Sequence, residues 1–194
     1  MCKAGNRYVM MHDIYSAPSE GRKNVVCCRF SISDDMVQWQ TTPSECCYER
    51  PDNFAAGHFI DYLDGYYYNF FMANDTVNHG WSMNVTRSKD LIHWEDSPLN
   101  PVLRASADDY KLANQNFTEK QKERIAQLNE TNNINNSDMC LFEYKGKLII
   151  HYFTGNQSLN APCTLAKAVY DGSMAQFLLG WFPKSNEIKN GEGK

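Results

Sequence analysis

Two acidic side chains recur in this chain within one repeated pattern. Asp35 lies in Ser33-Asp34-Asp35-Met36-Val37-Gln38-Trp39, and Asp90 lies in Ser88-Lys89-Asp90-Leu91-Ile92-His93-Trp94, which repeats Ser-x-Asp-apolar-apolar-x-Trp 55 residues later. A recurring acid invites a proton-transfer role, since carboxylates are common general acids and bases. It equally fits a turn in which short polar side chains accept backbone amides, and Asp35 and Asp90 read best that way. A second polar grouping, Asn135-Asn136-Ser137-Asp138, stands immediately before the apolar run Met139-Cys140-Leu141-Phe142. There Asp138 either caps backbone amides or presents its carboxylate to a ligand. His12 and His151 occupy comparable places in two strand-forming runs, as core histidines first and as functional groups second. No P-loop, zinc-protease helix motif or nucleophile elbow is present.

The seven cysteines are Cys2, Cys27, Cys28, Cys46, Cys47, Cys140 and Cys163. Neighbouring strand residues point to opposite faces, so neither adjacent pair forms a natural disulfide or metal clip. They read as small core hydrophobes, with no metal site expected. No cofactor is called for, with a structural calcium ion left open.

The chain has 194 residues, 42% of them hydrophobic, enough for one domain with a sound core. Aromatic residues make up 13%, which suits pleated strand surfaces and equally a stacking surface for a sugar ring. A net charge of −4 offers no basic field for nucleic acid or anionic lipid, so neither is an expected partner. No apolar run approaches the roughly 18 residues of a membrane span, and the first residues lack the apolar core of a signal peptide. As given, the chain reads as cytoplasmic or already truncated. Sequons such as Asn74-Asp75-Thr76, Asn84-Val85-Thr86 and Asn129-Glu130-Thr131 matter only in a secretory setting that nothing else supports.

The elements that must position these groups read as strands. Arg7–Tyr15 and Val25–Ile32 lead into the first repeat, whose Trp39 begins a short outer strand ending before Pro43. Phe59–Leu63 turns at Asp64-Gly65 into Tyr66–Met72, and Trp81–Thr86 then feeds the second repeat. Met139–Tyr144 turns at Lys145-Gly146 into Lys147–Phe153, followed by Thr164–Tyr170 and the apolar tail Phe177–Phe182. The hairpin glycines Gly5, Gly65 and Gly146 are spaced by 60 and 81 residues. The surplus falls in a polar insertion over 105–133, where Thr118-Glu119-Lys120-Gln121 predicts a capping box opening a helix through Leu128. With only Ile125 and Leu128 as an apolar stripe, this helix belongs on the rim, or else in a lid or a disordered stretch.

Repeated four-stranded meanders predict an all-β chain, a partial β-propeller with blades at about 5–43, 49–100 and 135–183. Gly5 falls after an innermost strand, so the inner strand of the first blade is expected before Met1. Three blades are too few for closure. The chain therefore reads as the C-terminal portion of a longer propeller, or as an open stack completed by another chain.

At this point Arg87–Glu95, Tyr62–Tyr68 and Asn135–Asp138 together resemble the five-bladed propeller glycosidases, the family 43 glycoside hydrolases and the related families 32 and 68. The resemblance spans about Tyr8 to Pro183. It implies a carbohydrate substrate and a pair of carboxylates around a central funnel, an Asp from the first blade and a Glu acting as general acid, one protonating the departing oxygen while the other attacks or activates water. Tyr48-Glu49-Arg50-Pro51-Asp52 resembles the Trp-Glu-Cys-Pro-Asp segment of family 32, which makes Glu49 the implied acid, with Glu45 as its rival. Asp138, Asn136, Tyr48, Asp52, Trp81 and His151 are the implied sugar-binding residues. Trp81 and Trp181 could equally pack between blades. The first-blade Asp has no match, so the base or nucleophile is unassigned. The expected function is a glycoside hydrolase or its substrate-binding portion. The alternatives are a non-catalytic carbohydrate-binding propeller and a protein-interaction platform.

Overall fold

The computed structural model describes residues 1–16, 25–52, 54–106, 109, 116–130, 134–156 and 164–184. Cys163, part of the insertion and the end of the Asn129 sequon lie outside them. Among the described residues, three antiparallel sheets follow one another along the chain. The first holds β1 (Cys2–Ala4), β2 (Arg7–Ser16), β3 (Val25–Ser33) and β4 (Gln40–Thr41) in that order, with β5 (Cys47–Tyr48) also pairing β3. The second is a complete meander of β6 (Ala56–Leu63), β7 (Tyr66–Asn74), β8 (Trp81–Ser88) and β9 (Trp94–Asp96). The third contains β10 (Asn135–Tyr144), β11 (Lys147–Gly155) and β12 (Thr164–Tyr170). These are three blades of a partial β-propeller.

One expectation changes. Cys2–Ala4 pairs with Val9–Arg7, so the first blade's inner strand lies at least partly within the chain rather than before Met1. The apolar tail, read from the sequence only as an apolar run, is mostly helical: Met174–Gly180 forms a helix, α2, that packs on β10 and β11. Its start is fixed locally, because Ser173 and Gln176 cap each other's backbone amides in a capping box. The inserted helix α1 (Glu119–Glu130) forms as the sequence predicts, with Thr118 and Gln121 exchanging the same reciprocal bonds.

The blades pack face to face because the strands of the middle one are apolar on both sides. Along β7, Tyr68 and Phe70 enter the core shared with β10 and β11, while Phe71 and Ala73 enter the core shared with the first blade. Side chains alternate in direction along a strand, so a near-continuous aromatic run is what a strand buried on both faces requires. α2 closes the first of these cores with Phe177 and Leu178.

The repeated motif proves to be a turn, reproduced almost to the tenth of an ångström. Ser33 Oγ accepts the amides of Asp35 (3.2 Å) and Met36 (2.9 Å), and Asp35 Oδ1 accepts those of Val37 and Gln38 (both 2.8 Å). Ser88 Oγ accepts from Asp90 (3.2 Å) and Leu91 (2.9 Å), and Asp90 Oδ1 from Ile92 (2.9 Å) and His93 (2.8 Å). These amides hold the carboxyls of both Asp35 and Asp90 below the usual range, with the His93 ring the largest cause at Asp90. The two copies differ in what the Trp does. Trp39 donates to Met36 O within its own turn, whereas Trp94 also donates to Cys47 O and stacks on Phe30, tying the second blade to the first.

Candidate functional site

The hairpin turns at Gly5, Gly65 and Gly146 and the Ser-x-Asp turns lie at one end of the strands. The opposite end is where β6 and β10 open, and there the polar groups converge. Both inner strands carry a bulge at this end. In β6 the register slips by one residue between Gly57 and Phe59, and in β10 between Ser137 and Cys140. A bulge leaves an extra residue out of the ladder and re-aims its side chain. The re-aimed residues are His58 and Asp138, and their side chains meet, His58 Nδ1 lying 3.6 Å from Asp138 Oδ1. Asp138 sits in the left-handed region at φ 54°, which Asp tolerates better than most residues, and Ser137 Oγ donates to its other oxygen at 2.6 Å. The far nitrogen of His58, Nε2, is buried and has no hydrogen-bond partner among the described residues.

Asp13, near the end of β2, joins this group from the first blade. Its Oδ1 accepts the Gly57 amide at 2.7 Å, one residue from His58. The packing there is close, since a Cβ on residue 57 would stand 2.5 Å from Met11 Sδ and would require the Met11 side chain to move. Burial pushes the Asp13 carboxyl above its usual value, against the opposing effects of the Gly57 amide and the charges of His58 and His12. The Asp13 carboxyl thus lies against the residue that precedes His58, while Asp138 accepts from a hydroxyl.

A second polar network anchors the start of the insertion. Asp75 has a fully buried side chain, and Arg104 Nε reaches both of its oxygens at 3.1 and 3.0 Å. Asn136, also fully buried, donates to Arg104 O and to both oxygens of Asp109. Tyr152 donates to Asp109 as well, and its hydroxyl is pushed up to about 12, by burial first and then by that carboxylate.

The residues singled out from the sequence fall into three places. Asp138, Asn136 and Trp81 lie at the inner-strand openings. Trp81 stacks on Phe54 with ring centroids 4.5 Å apart, and its amide donates to Asn135 Oδ1. Glu49, Tyr48 and Asp52 lie elsewhere, at the outer edge of the first blade. β5 pairs with β3 on the side away from β2, and a crevice there is lined by Cys47, Tyr48, Glu49, Arg50, Trp94 and Asp96. Tyr48 is buried against Phe71 and Trp94 and donates to Asp96 at 2.7 Å, while Asp52 pairs with Arg50 at 3.1 Å. Glu49 is exposed, its Oε1 3.6 Å from Cys47 Sγ. His151, on β11, sets its ring edge-on to Phe142.

His58 and Asp13 escape notice in the sequence. His58 stands seven residues before Gly65 and Asp138 eight before Gly146, so aligning the hairpin glycines sets them one position out of step and does not pair them. Asp13 leaves no trace either, because its partner is a backbone amide 44 residues away.

No protein-family model and no curated protein sequence matches the chain. Solved structures do, at the level of fold. A Bombyx mori family 32 beta-fructofuranosidase, solved as a mutant in complex with sucrose, superposes with a TM-score of 0.52 at 14% identity, over 86% of this chain and 32% of that one. A protein described as a glycoside hydrolase gives 0.55 at 15% identity, over 91% and 44%. BT0996, solved as an RGII complex, gives 0.53 at 13%, over 87% and 47%. The chain thus has the β-propeller fold seen in glycoside hydrolases, and spans between a third and a half of the length of these neighbours.

Proposed function

We propose that the protein is a carbohydrate-active propeller that binds and cleaves glycosidic bonds at the face where β6 and β10 open. The observation that carries this reading is the contact of His58 with Asp138 across two inner-strand bulges, with Asp13 bound to the intervening Gly57 amide. Glycoside cleavage needs one carboxyl that gives a proton and one that attacks or activates water. Asp13 suits the first task, since its desolvated carboxyl holds its proton more tightly than a free Asp. Asp138 suits the second, its carboxylate held by the Ser137 hydroxyl and facing the His58 ring. The orphaned His58 Nε2 supports a functional role, because buried polar groups without partners are rare outside such sites. Trp81 and Phe54 offer a stacked aromatic pair at the same end for a sugar face.

The acid implied by the family 32 resemblance is Glu49, and the test separates it from Asp13. Hydrolysis of aryl glycosides and of fructosyl and pectic oligosaccharides is measured for the intact protein and for Asp138→Asn, Asp13→Asn and Glu49→Gln. Loss in the first two with Glu49→Gln unchanged supports the inner-strand site. Loss confined to Glu49→Gln overturns it.

A non-catalytic binding propeller is the second reading. β6 opens with Ala56 and Gly57, so it carries no acid of its own at that opening and a histidine follows instead. Saturable oligosaccharide binding that Asp138→Asn abolishes, without turnover in any variant or in the parent, would favour it.

A further inference from the structure

The adjacent cysteine pairs do not clip within themselves, but one member of each meets the other across two strands. Arg29 pairs with Cys47 and Cys28 with Tyr48 in the β3–β5 ladder, and continuing that register sets Cys27 opposite Glu49. Alternation then puts Cys27, Cys47 and Glu49 on one face, while Cys28 turns to the other, where its thiol lies against Ala55 O and Asn69. The Sγ atoms of Cys27 and Cys47 and a carboxylate oxygen of Glu49 all lie within 4.8 Å of one another.

We propose that Cys27, Cys47 and Glu49 bind a borderline-soft divalent cation of the zinc class. Thiolates about 2.3 Å from a tetrahedral ion stand about 3.8 Å apart, so ligand atoms already this close need only a small inward shift. Two sulfurs and one oxygen select zinc or cobalt over magnesium or calcium, which prefer oxygen alone. Cys27 and Cys47 are diagonal partners in the ladder, a relationship longer than a directly opposed pair and poorly matched to the short Cα separation of a disulfide. Burial is graded from Cys27, fully buried, through Cys47, half-buried, to Glu49, exposed, which gives the ion an entry path and leaves its fourth position toward solvent. The guanidinium of Arg29, on the same face, is directed at the carbonyls of Thr42 and Pro43. Binding releases the two thiol protons, so affinity falls as pH falls. A ligand role would take Glu49 out of acid–base chemistry, independently of whether the inner-strand site is catalytic.

The test is titration of the reduced, intact protein with Zn²⁺ against a chromophoric chelator, and with Co²⁺ read by absorption. One equivalent per chain and a thiolate-to-cobalt charge-transfer band are expected. Cys47→Ser should remove the band, and Glu49→Gln should weaken binding at least about tenfold, the lower bound for losing even an outer partner of a metal site. Cys27→Ser changes a buried side chain, so Cys47→Ser, at a half-buried position, is the deciding variant, with circular dichroism checking its fold. Absence of the thiolate band, or uptake unchanged in Cys47→Ser, overturns the proposal. So does an intact mass showing that reduced protein re-forms a Cys27–Cys47 disulfide in preference to taking up Zn²⁺.

Discussion

His58 Nδ1 and Asp138 Oδ1 lie 3.6 Å apart, each on the extra residue of a bulge in the inner strand of its own blade. Each ladder slips where its inner strand opens, and the two side chains meet there. Asp138 has a backbone requirement of its own, at φ 54°. Asn shares Asp's tolerance of that region and Ala does not, the left-handed conformation costing roughly 1–2 kcal/mol for most residues. Asp138→Asn should therefore keep the stability of the parent within a few tenths of a kcal/mol, while Asp138→Ala loses on the order of 1 kcal/mol. Urea midpoints check this, and equal losses would show that the backbone at 138 is unstrained. Against carbohydrate, Asp138→Asn is expected to lose at least about a hundredfold in turnover, the scale of removing one positioned acid–base group.

Asp13 supplies a pH signature. Its carboxyl is raised above the usual 3.8 in the folded protein, chiefly by burial. Between the unfolded and folded values the native state therefore binds more protons than the unfolded one, so this group makes stability fall as pH rises through that window. Below the window it contributes nothing, and above it the cost is complete. Asn can still accept the Gly57 amide without carrying charge. Asp13→Asn should thus gain stability relative to the parent as pH is raised from about 4, reaching a constant gain near neutrality. Denaturation midpoints compared across that range would refute the assignment if the gain grew toward acid instead.

The turn motif gives a paired prediction in which two effects compete. Met36 and Leu91 occupy the same place in the two copies and share φ values of 63° and 65°. Glycine at either removes a strain of roughly 1 kcal/mol. Met36 is 48% exposed and forfeits little packing, so Met36→Gly should stabilise by up to about 1 kcal/mol. Leu91 is 5% exposed in the core beneath Trp94, and losing its side chain costs about 2–5 kcal/mol, so Leu91→Gly should destabilise despite the relieved backbone. Thermal unfolding of both variants distinguishes strain relief from burial directly.

The fold is legible where period and turn chemistry are local. Asp64-Gly65 and Lys145-Gly146 mark hairpins whose strands begin and end within a few residues of the expected places, and Thr118–Gln121 marks a helix start. α2 is hidden because Phe177–Phe182 is a short apolar run, which period alone cannot assign to helix or strand, although Ser173 and Gln176 already spell a capping box. The site is legible in one half. Asp138 announces itself as an acid against an apolar strand, whereas His58 is aimed by a bulge and Asp13 by a contact between blades. The emphasis on Glu49 comes from a five-residue likeness, and the structure sets that segment on an outer edge beside β3 rather than at the opening of β6. Pairing of Tyr48 with Cys28 consumes residues that the likeness would lead straight into the inner strand.

Arg104 carries the final prediction, because it joins the insertion to the openings of the blades. The carboxylate of Asp75 is fully buried and is met by Arg104 Nε on both oxygens, by the Val77 amide and by Asn78 Nδ2. The Arg104 carbonyl in turn accepts from Asn136 on β10. Removing the guanidinium leaves a buried negative charge with only neutral donors, a change that costs about 3–5 kcal/mol for a wholly buried pair. Arg104 itself is 39% exposed, so water compensates in part, and Arg104→Ala should cost on the order of 2–3 kcal/mol. The double variant Arg104→Ala with Asp75→Asn removes the stranded charge and should recover part of that loss. A double-mutant cycle by urea denaturation measures the coupling, and strict additivity of the two changes would show that the pair contributes nothing to holding the insertion in place.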